Sequence, residues 1–434
     1  MKINVGIIGF GTVGTGTARI LTENRDIIKE KTGLDIELLK VADLDIERDR
    51  GISLPSHILT TDAMGDVIGN PDIHVVVELI GGINPAKDFI VKAIQSGKHV
   101  VTANKALLAT EGAEIFDEAR SRGVILGYEA SVAGGIPIIK VIREGLVANR
   151  ILSIYGIING TSNYILTRML EEKMDFHDAL REAQELGYAE ADPTFDIEGI
   201  DTAHKLTILS SLSFGIPLSY DHIYTEGISR ITAQDIEFAM ELGYKIKLLA
   251  IAKAVDREVE IRVHPTMIPE NYLISKVDGV LNAVYVVGDA VGETLYYGRG
   301  AGDMPTGSAV VSDIVDIARK ITIGCNVSED IQFMGKRTDI RVKPMGEVES
   351  KYYFRFTAID RPGVLSKISG VLGRHQISIA AVIQKGRSIG GAVPLVLLTH
   401  KARESDVQKA IKEIDTLDVV DGRTMVIRVE GDED

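Results

Sequence analysis

Cysteine is almost missing from this chain. One residue, Cys325, occurs among 434, which excludes an internal disulfide framework and fits a reducing compartment. Positive charge is in short supply: 48 lysines and arginines stand against 62 aspartates and glutamates, for a net charge of −14. Such a surface repels a phosphate backbone, so no nucleic-acid partner is expected. No apolar run approaches the ~20 residues of a membrane-spanning helix, so no membrane partner is expected either. The first strand opens at Ile3 with no signal-like apolar segment ahead of it, and the cytoplasm is the expected compartment. What is present is an ordinary globular composition, 45% hydrophobic and 25% charged. The chain has room for roughly two to four domains with real cores.

The N-terminal part alternates short apolar runs with helical stretches. Ile3–Ile8 reads as a buried strand, followed by Gly9-Phe10-Gly11-Thr12-Val13-Gly14 and a helix expected from about Thr15 to Asn24. A G-x-G-x-x-G turn between strand and helix lets a pyrophosphate approach the backbone and meet the free N–H groups of the helix N-terminus. The expected ligand is therefore a dinucleotide. The second strand, Glu37–Ala42, ends in Asp43-Leu44-Asp45. An acid there accepts hydrogen bonds from the adenosine ribose and favours NAD, whereas Arg48 and Arg50 offer a clamp for the 2′-phosphate of NADP. Asp43 is the better placed, so NAD is favoured and NADP is the alternative. Strands at His74–Ile80, Gly97–Val101 and Val124–Tyr128 are separated by helices at Pro85–Ser96 and from about Glu111 to Ser121, with a further helix start at Lys105. This order specifies a doubly wound parallel sheet. Gly81-Gly82 lets the chain pass close to a cofactor. Lys105, in Thr102-Ala103-Asn104-Lys105, stands at the carboxyl edge of a strand, where such sheets bind ligands.

The composition then changes. Glu129 to Pro137 is small and glycine-rich with one carboxylate, which reads either as a domain-crossing hinge or as an oxygen cage for a hard cation. From Ile138 to about Gly300 helices mix with strands, an α+β pattern. Within it the stretch Gly187 to Lys205 gathers Glu190, Asp192, Asp196, Glu198 and Asp201 ahead of one lysine, Lys205. Asp201 and Lys205 are four apart, so a helix starting near Ile200 puts them on one face. Carboxylates hold an ammonium and a lysine can move a proton, which suits a small zwitterionic substrate. A second glycine-rich turn is expected over Tyr297–Thr306, followed by a helix from Gly307 to Lys320. Gly324–Glu349 reads as a linker. The remainder, with strands at Tyr352–Ile359, Ile377–Gln384, Gly390–Leu398 and Asp418–Val429 and helices at Val364–His375 and Glu404–Ile414, has the ferredoxin-like order βαββαβ.

In these motifs, and in the turn Asp360-Arg361-Pro362-Gly363-Val364-Leu365, the chain resembles homoserine dehydrogenases that carry a C-terminal ACT domain. The resemblance implies a dinucleotide-binding domain over 1–130 plus about 301–323 and a catalytic and dimerisation domain over 131–300. A linker over 324–349 and an ACT regulatory domain over 350–434 would follow. It implies reversible oxidation of L-homoserine to L-aspartate 4-semialdehyde, on the route to threonine, methionine and isoleucine. By that resemblance Lys205 is the proton donor or acceptor, Lys105 lies beside the reacting carbon, and Glu190, Asp201 and Asp196 bind the substrate. Gly187 and Gly302 join the glycine turn, Asp43 and Lys105 in holding the cofactor. Glu129 with the backbone oxygens of Val132, Gly134 and Ile136 matches a sodium site. Asp360, Gly363 and Val364 mark the regulatory ligand site, with threonine the expected effector and a homodimer or homotetramer the expected assembly. Ala42 stands near where an arginine often reads the 2′-phosphate, which agrees with NAD.

A free lysine titrates near ~10.4, so service as a base near neutrality needs burial or a second positive charge. Lys105 facing Lys205 would supply that charge, and Asp201 would oppose it. An aspartate-semialdehyde dehydrogenase would need a cysteine nucleophile, and Cys325 lies beyond the expected catalytic region. With the first strand opening at Ile3, no fused aspartate kinase domain is expected. The remaining alternative, an inactive dehydrogenase-like body serving an amino-acid sensor, is disfavoured by the presence of Lys105, Glu190, Asp201 and Lys205 together.

Overall fold

The computed structural model describes residues 2–324, 339–385 and 391–431. Cys325, much of the expected linker and the start of the strand expected from Gly390 lie outside the described residues. The chain forms two compact units, each discontinuous in sequence: residues 1–160, 201–223 and 280–340, and residues 161–200, 224–279 and 341–434.

The first unit holds a six-stranded sheet in the order β3-β2-β1-β4-β5-β6. Its strands are β1 (Lys2–Ile8), β2 (Asp35–Ala42), β3 (Leu59–Thr60), β4 (Val75–Glu78), β5 (His99–Thr102) and β6 (Leu126–Gly127). Every pairing is parallel. Ile3, Val5, Ile7, Val75, Val77 and Val101 are fully buried, as β-branched residues covered on both faces of a parallel sheet should be. The first helix runs Thr12–Glu23 and starts inside the glycine motif, three residues ahead of the expected start at Thr15. The helix that begins at Lys105 continues unbroken to Arg122, so no separate helix starts at Glu111. Gly112 does not interrupt it.

The same unit contains an antiparallel ribbon of β7 (Ile151–Ile157), β11 (Leu281–Gly288) and β12 (Gly292–Arg299). Strand β12 takes the first residues of the glycine-rich turn expected at Tyr297. The helix expected from Gly307 instead spans Asp303–Ile323, which leaves only residues 300–302 as the turn. The half-exposed side chains of β12 lack the clear alternation that marks a strand in sequence. The helix Ile200–Phe214 is buried at every position from Asp201 to Leu212.

The second unit is built on a hairpin of β9 (Tyr244–Val255) and β10 (Glu258–Pro269), paired in continuous antiparallel register. Short strands β8 (Tyr224–Thr225) and β13 (Arg341–Val342) run parallel to β10. The C-terminal strands are β14 (Glu349–Ile359), β15 (Ile379–Gln384), β16 (Ala392–Thr399), β17 (Ala402–Arg403) and β18 (Met425–Val429). With helices Val364–Arg374 and Glu404–Ile414 they make the βαββαβ unit, and its sheet runs β18-β14-β16-β15. Tyr352, Phe354, Phe356, Ile368 and Leu397 fill its core. The last strand is shorter than the expected Asp418–Val429, because the chain first turns at Gly422, with φ +73°. Strand β18 pairs with β14 on one edge and with β10 on the other, through Thr266↔Arg428 and Met267↔Val429. One sheet therefore passes from the βαββαβ unit into the β9–β10 hairpin.

Candidate active site

In the first unit three residues far apart in sequence converge on one carboxylate. Asp201 sits in the first turn of the helix Ile200–Phe214, and Lys205 lies one turn on along the same face. Lys205 Nζ donates to Asp201 Oδ2 at 2.6 Å and to the Ile158 carbonyl at 2.7 Å. Lys105 Nζ, at the N-terminus of its own helix beyond β5, lies 3.0 Å from Asp201 Oδ1. Asn159 donates its side-chain amide to Asp201 Oδ2 at 2.9 Å. Asp201 is 4% exposed and Lys205 8%; charges so buried persist only when paired and hydrogen-bonded. Burial pushes the Asp201 carboxyl up, but Lys205, Lys105 and the hydrogen bonds from Lys205 and Asn159 outweigh it and hold the group well below the usual carboxylate range. His204, next on this helix, packs against the Tyr220 ring with centroids 4.6 Å apart. Burial lowers it, with Asp201 opposing, which favours a neutral imidazole.

The glycine turn has the shape a dinucleotide requires. Gly9 has φ +102°, a region open chiefly to glycine. A Cβ on Gly14 would fall 2.0 Å from the Gly9 carbonyl oxygen, whereas one on Gly11 would meet nothing within 4 Å. Gly14 therefore closes the turn, and Gly11 leaves space open at a helix N-terminus that no side chain caps. Those residues fit a pyrophosphate. Asp43 is tied to this turn: Oδ2 accepts from Phe10 N at 2.6 Å and Oδ1 from Asp45 N at 2.9 Å. Arg50 lies 3.3 Å from Asp43 Oδ1 and 4.7 Å above the Phe10 ring, so the acid expected at the ribose and one of the two arginines offered for a 2′-phosphate stand side by side. Gly302 precedes the helix Asp303–Ile323, which packs against the first helix where a Cβ on Gly16 would fall 2.2 Å from the Asp303 carbonyl oxygen.

The loop after β6 is organised by Glu129. Its carboxylate accepts from the N–H groups of Ile139 and Lys140, both at 2.8 Å, and its own N–H donates to Asp313 Oδ2 at 2.8 Å. Ala133 and Gly134 both have positive φ, 54° and 47°. Burial, with Asp313 adding to it, raises Glu129 to about 7. Burial also raises Asp313, to about 6. The Glu129 carbonyl accepts from Val132 N at 3.4 Å and that of Ile136 from Ile138 N at 2.8 Å. Among the described residues no group of three or more His, Cys, Asp or Glu side chains is arranged to hold a metal ion. A cation here would need backbone oxygens besides Glu129.

In the second unit Gly187, Glu190 and Asp196 lie on one segment after the helix Phe176–Glu185. Gly187 and Glu190 are exposed and Asp196 is half-buried. The carbonyl of Glu190 accepts from Gln184 Nε2 at 3.1 Å, that of Tyr188 from Thr161 at 2.6 Å and that of Asp196 from Ser162 at 2.9 Å, which leaves the backbone of the segment well anchored. In the βαββαβ unit Gly363, with φ +92°, precedes the helix opened by the buried Val364. Asp360 N donates to the Gly391 carbonyl at 2.8 Å.

Sequence reasoning missed several partners in the first unit: Asn159, the Ile158 carbonyl, Asp313 and Glu78. Glu78, fully buried at the end of β4, accepts from Ile80 N at 2.8 Å and from the Thr102 hydroxyl at 2.7 Å, and so ties the Gly81-Gly82 turn to β5. A single acid inside the run HVVVELI was the available signal for it.

Three family models match the chain: "Homoserine dehydrogenase, NAD binding domain" over residues 9–129, "Homoserine dehydrogenase" over 137–315 and "ACT domain" over 352–418. A curated homoserine dehydrogenase of Pseudomonas aeruginosa is 50% identical over 433 residues, covering 99% of each chain. The crystal structure of a homoserine dehydrogenase from Thiobacillus denitrificans superposes with a TM-score of 0.93 at 50% identity, covering 99% of this chain and 98% of that one. A hyperthermophilic archaeal homoserine dehydrogenase in complex with NADPH matches with a TM-score of 0.63 at 27% identity, over 75% of this chain and 99% of its own.

Proposed function

Since the chain belongs to the homoserine dehydrogenase family, we infer that the lysine pair bridged by Asp201 is where the proton of its reaction is handled. The protein is an NAD(P)-dependent oxidoreductase that interconverts L-homoserine and L-aspartate 4-semialdehyde. Its βαββαβ unit is an ACT domain. When bound, a nicotinamide supplies the hydride acceptor or donor. The protein must then remove the hydroxyl proton as the hydride leaves the carbinol carbon, or return it in reduction. Lys205 carries that role. Two of its donor directions are fixed by Asp201 and Ile158, which orients the ammonium for a substrate oxygen and stabilises an alkoxide developing there. Lys105, the more exposed of the pair, lies beside the reacting carbon. Asp201 has both oxygens engaged by the lysines, so its part is to orient them and balance their charge. The observation that carries this reading is the shared carboxylate, with two ammonium groups within 3.0 Å of it.

Glu190 and Asp196 take the ammonium of homoserine. Glu190→Ala should raise the homoserine KM about tenfold with kcat little changed, and a normal KM rejects the role. NAD is the preferred cofactor, supported by Asp43 at the end of β2 and by Ala42 beside it; Arg50 favours the alternative, NADP. Homoserine oxidation assayed with each cofactor decides between them. Sodium, held by Glu129 with the backbone oxygens of Val132, Gly134 and Ile136, is supported by consecutive positive-φ residues and two buried acids. Threonine, bound around Asp360, Gly363 and Val364, is the proposed effector, in a homodimer or homotetramer. Titrating threonine into the full-length enzyme tests the former, and sedimentation equilibrium the latter. Deleting the C-terminal domain is a poor control, because β18 is a neighbour of β10.

A further inference from the structure

We propose that Arg428, in the last strand of the C-terminal domain, is a positioning residue for homoserine binding, acting through Glu226 on the turn that ends the acidic segment. Arg428 is 1% exposed. Its guanidinium grips Glu404 with two hydrogen bonds, from Nε at 2.9 Å and Nη2 at 2.6 Å. Glu404 also accepts from the Tyr352 hydroxyl at 2.8 Å and from Gln408 Nε2 at 2.8 Å. That set already joins β18, β14 and the helix Glu404–Ile414, and would be complete for a free-standing βαββαβ unit. Arg428 nevertheless reaches further. Nη1 donates to Glu226 Oε2 at 2.8 Å and Nη2 to the Tyr224 hydroxyl at 3.1 Å, with the guanidinium 4.9 Å above the Tyr224 ring. Tyr224 closes the ring of contacts by donating to Glu226 Oε2 at 2.9 Å.

Glu226 belongs to the bed on which the substrate segment rests. Its N–H donates to the Val263 carbonyl at 2.8 Å, and two residues on Ile228 N donates to the Ile197 carbonyl at 2.8 Å. A Cβ on Gly227 would fall 2.3 Å from the Ile197 oxygen and 2.5 Å from Glu198 Cα, so the two backbones touch. A Cβ on Gly199 would meet Val263 and Thr225 at 3.2 and 3.3 Å. Residues 225–228 and 197–199 are therefore packed without slack, and packed elements shift together rather than deform. The turn 197–199 follows Asp196 directly and leads into the helix that carries Asp201 and Lys205. One guanidinium thus connects the sheet of the C-terminal domain to the segment bearing Glu190 and Asp196.

This inference rests on the reading that Glu190 and Asp196 bind homoserine, and the test separates the two. The variants are Glu226→Gln, whose side chain is 27% exposed and so tolerates the change, Arg428→Lys, and the pair combined. Glu241→Gln is the control, since it loses a contact with Lys385 of the C-terminal domain that does not lead to residues 197–199. The expected result for Glu226→Gln is a homoserine KM raised roughly 3- to 10-fold, with kcat, cofactor KM and Tm close to the parent. Arg428→Lys should move the same parameter, and the double variant should fall short of the product of the singles, as residues sharing one contact do. Glu241→Gln should leave homoserine KM unchanged. A lowered Tm with unaltered homoserine KM in Glu226→Gln makes the contact merely structural and overturns the proposal. If Glu190→Ala raises KM while Glu226→Gln does not, the positioning role fails and the substrate assignment stands. If Glu190→Ala has no effect, both fall.

Discussion

Asp201 and Glu129 are both buried carboxylates of the first unit, 4% and 1% exposed, yet their surroundings drive them in opposite directions. Burial penalises the charged form of each. Around Asp201 two ammonium groups and an amide overcome that penalty, and the carboxylate stays ionised. Around Glu129 the compensation comes from backbone N–H groups and Lys140, while Asp313 adds a second acid, and the carboxyl rises to about 7. The same chemical group thus serves two purposes. At Asp201 a permanent negative charge fixes two cations in place, one of them the lysine proposed to move the proton. At Glu129 the negative charge is under-compensated, so the loop attracts a proton or a cation. Catalysis should depend on the first, and the change of stability with pH between about 4 and 7 on the second.

Lys205→Ala breaks the contrast most severely. It removes the group proposed to handle the proton, and kcat should fall by about 10²–10⁴-fold, far more than cofactor KM rises. Glu129→Gln should leave kcat within a few-fold of the parent. Unchanged turnover in Lys205→Ala would remove that residue from the chemistry, and a loss of similar size in Glu129→Gln would abolish the distinction. Asp201→Asn comes next. It leaves two ammonium groups, one of them buried, without their counter-charge, and breaking a buried pair in this way costs about 3–5 kcal/mol. The expected outcome is a clear drop in Tm together with a reduced kcat, because Lys205 loses its orienting partner. A variant as stable as the parent would show that Lys205 is held well enough without the charge of Asp201, its bond to the Ile158 carbonyl remaining.

Of these two regions the sequence revealed the first far better. The spacing of Asp201 and Lys205 is a local, helical fact, and Lys105 at the edge of β5 follows from the alternation of strands and helices. The glycine turn was equally legible, since its requirements are set by backbone geometry within six residues. What stayed hidden depends on contacts distant in sequence. Asp313 is an acid on a helix 184 residues from the Glu129 N–H it accepts from, and no local pattern announces such a pair. The pairing of β18 with β10 joins residues more than a hundred positions apart through backbone hydrogen bonds, which carry no side-chain signature. Strand β12 is an edge strand of mixed polarity, for which two-residue periodicity is weak. The carboxylate in the Glu129 loop suggested a cation ligand, whereas its oxygens accept from Ile139 and Lys140.

The smallest effect sharpens the contrast most, because the two carboxylates should show opposite signs in one titration. Burial raises Glu129 and Asp313 in the folded protein to about 7 and about 6 from ordinary values of 4.5 and 3.8. Between roughly pH 4 and 7 the folded protein therefore holds more protons than the unfolded chain, and its stability falls as pH rises through that window. Asp201 is lowered from 3.8, so its contribution is present above about pH 4 and is lost as pH falls further. Tm should accordingly be flat above pH 7, climb by a few degrees on acidification towards pH 5, and collapse below pH 4. Glu129→Gln should reduce the middle slope and leave the acid collapse, whereas Asp201→Asn should do the reverse. Sodium offers an independent check at pH 8, above the raised values of both Glu129 and Asp313: a bound cation would raise Tm in the parent, and less in Glu129→Gln, while potassium at equal ionic strength gives the baseline. A middle slope that survives Glu129→Gln unchanged would locate the titrating group elsewhere and end the argument for a charge-hungry loop.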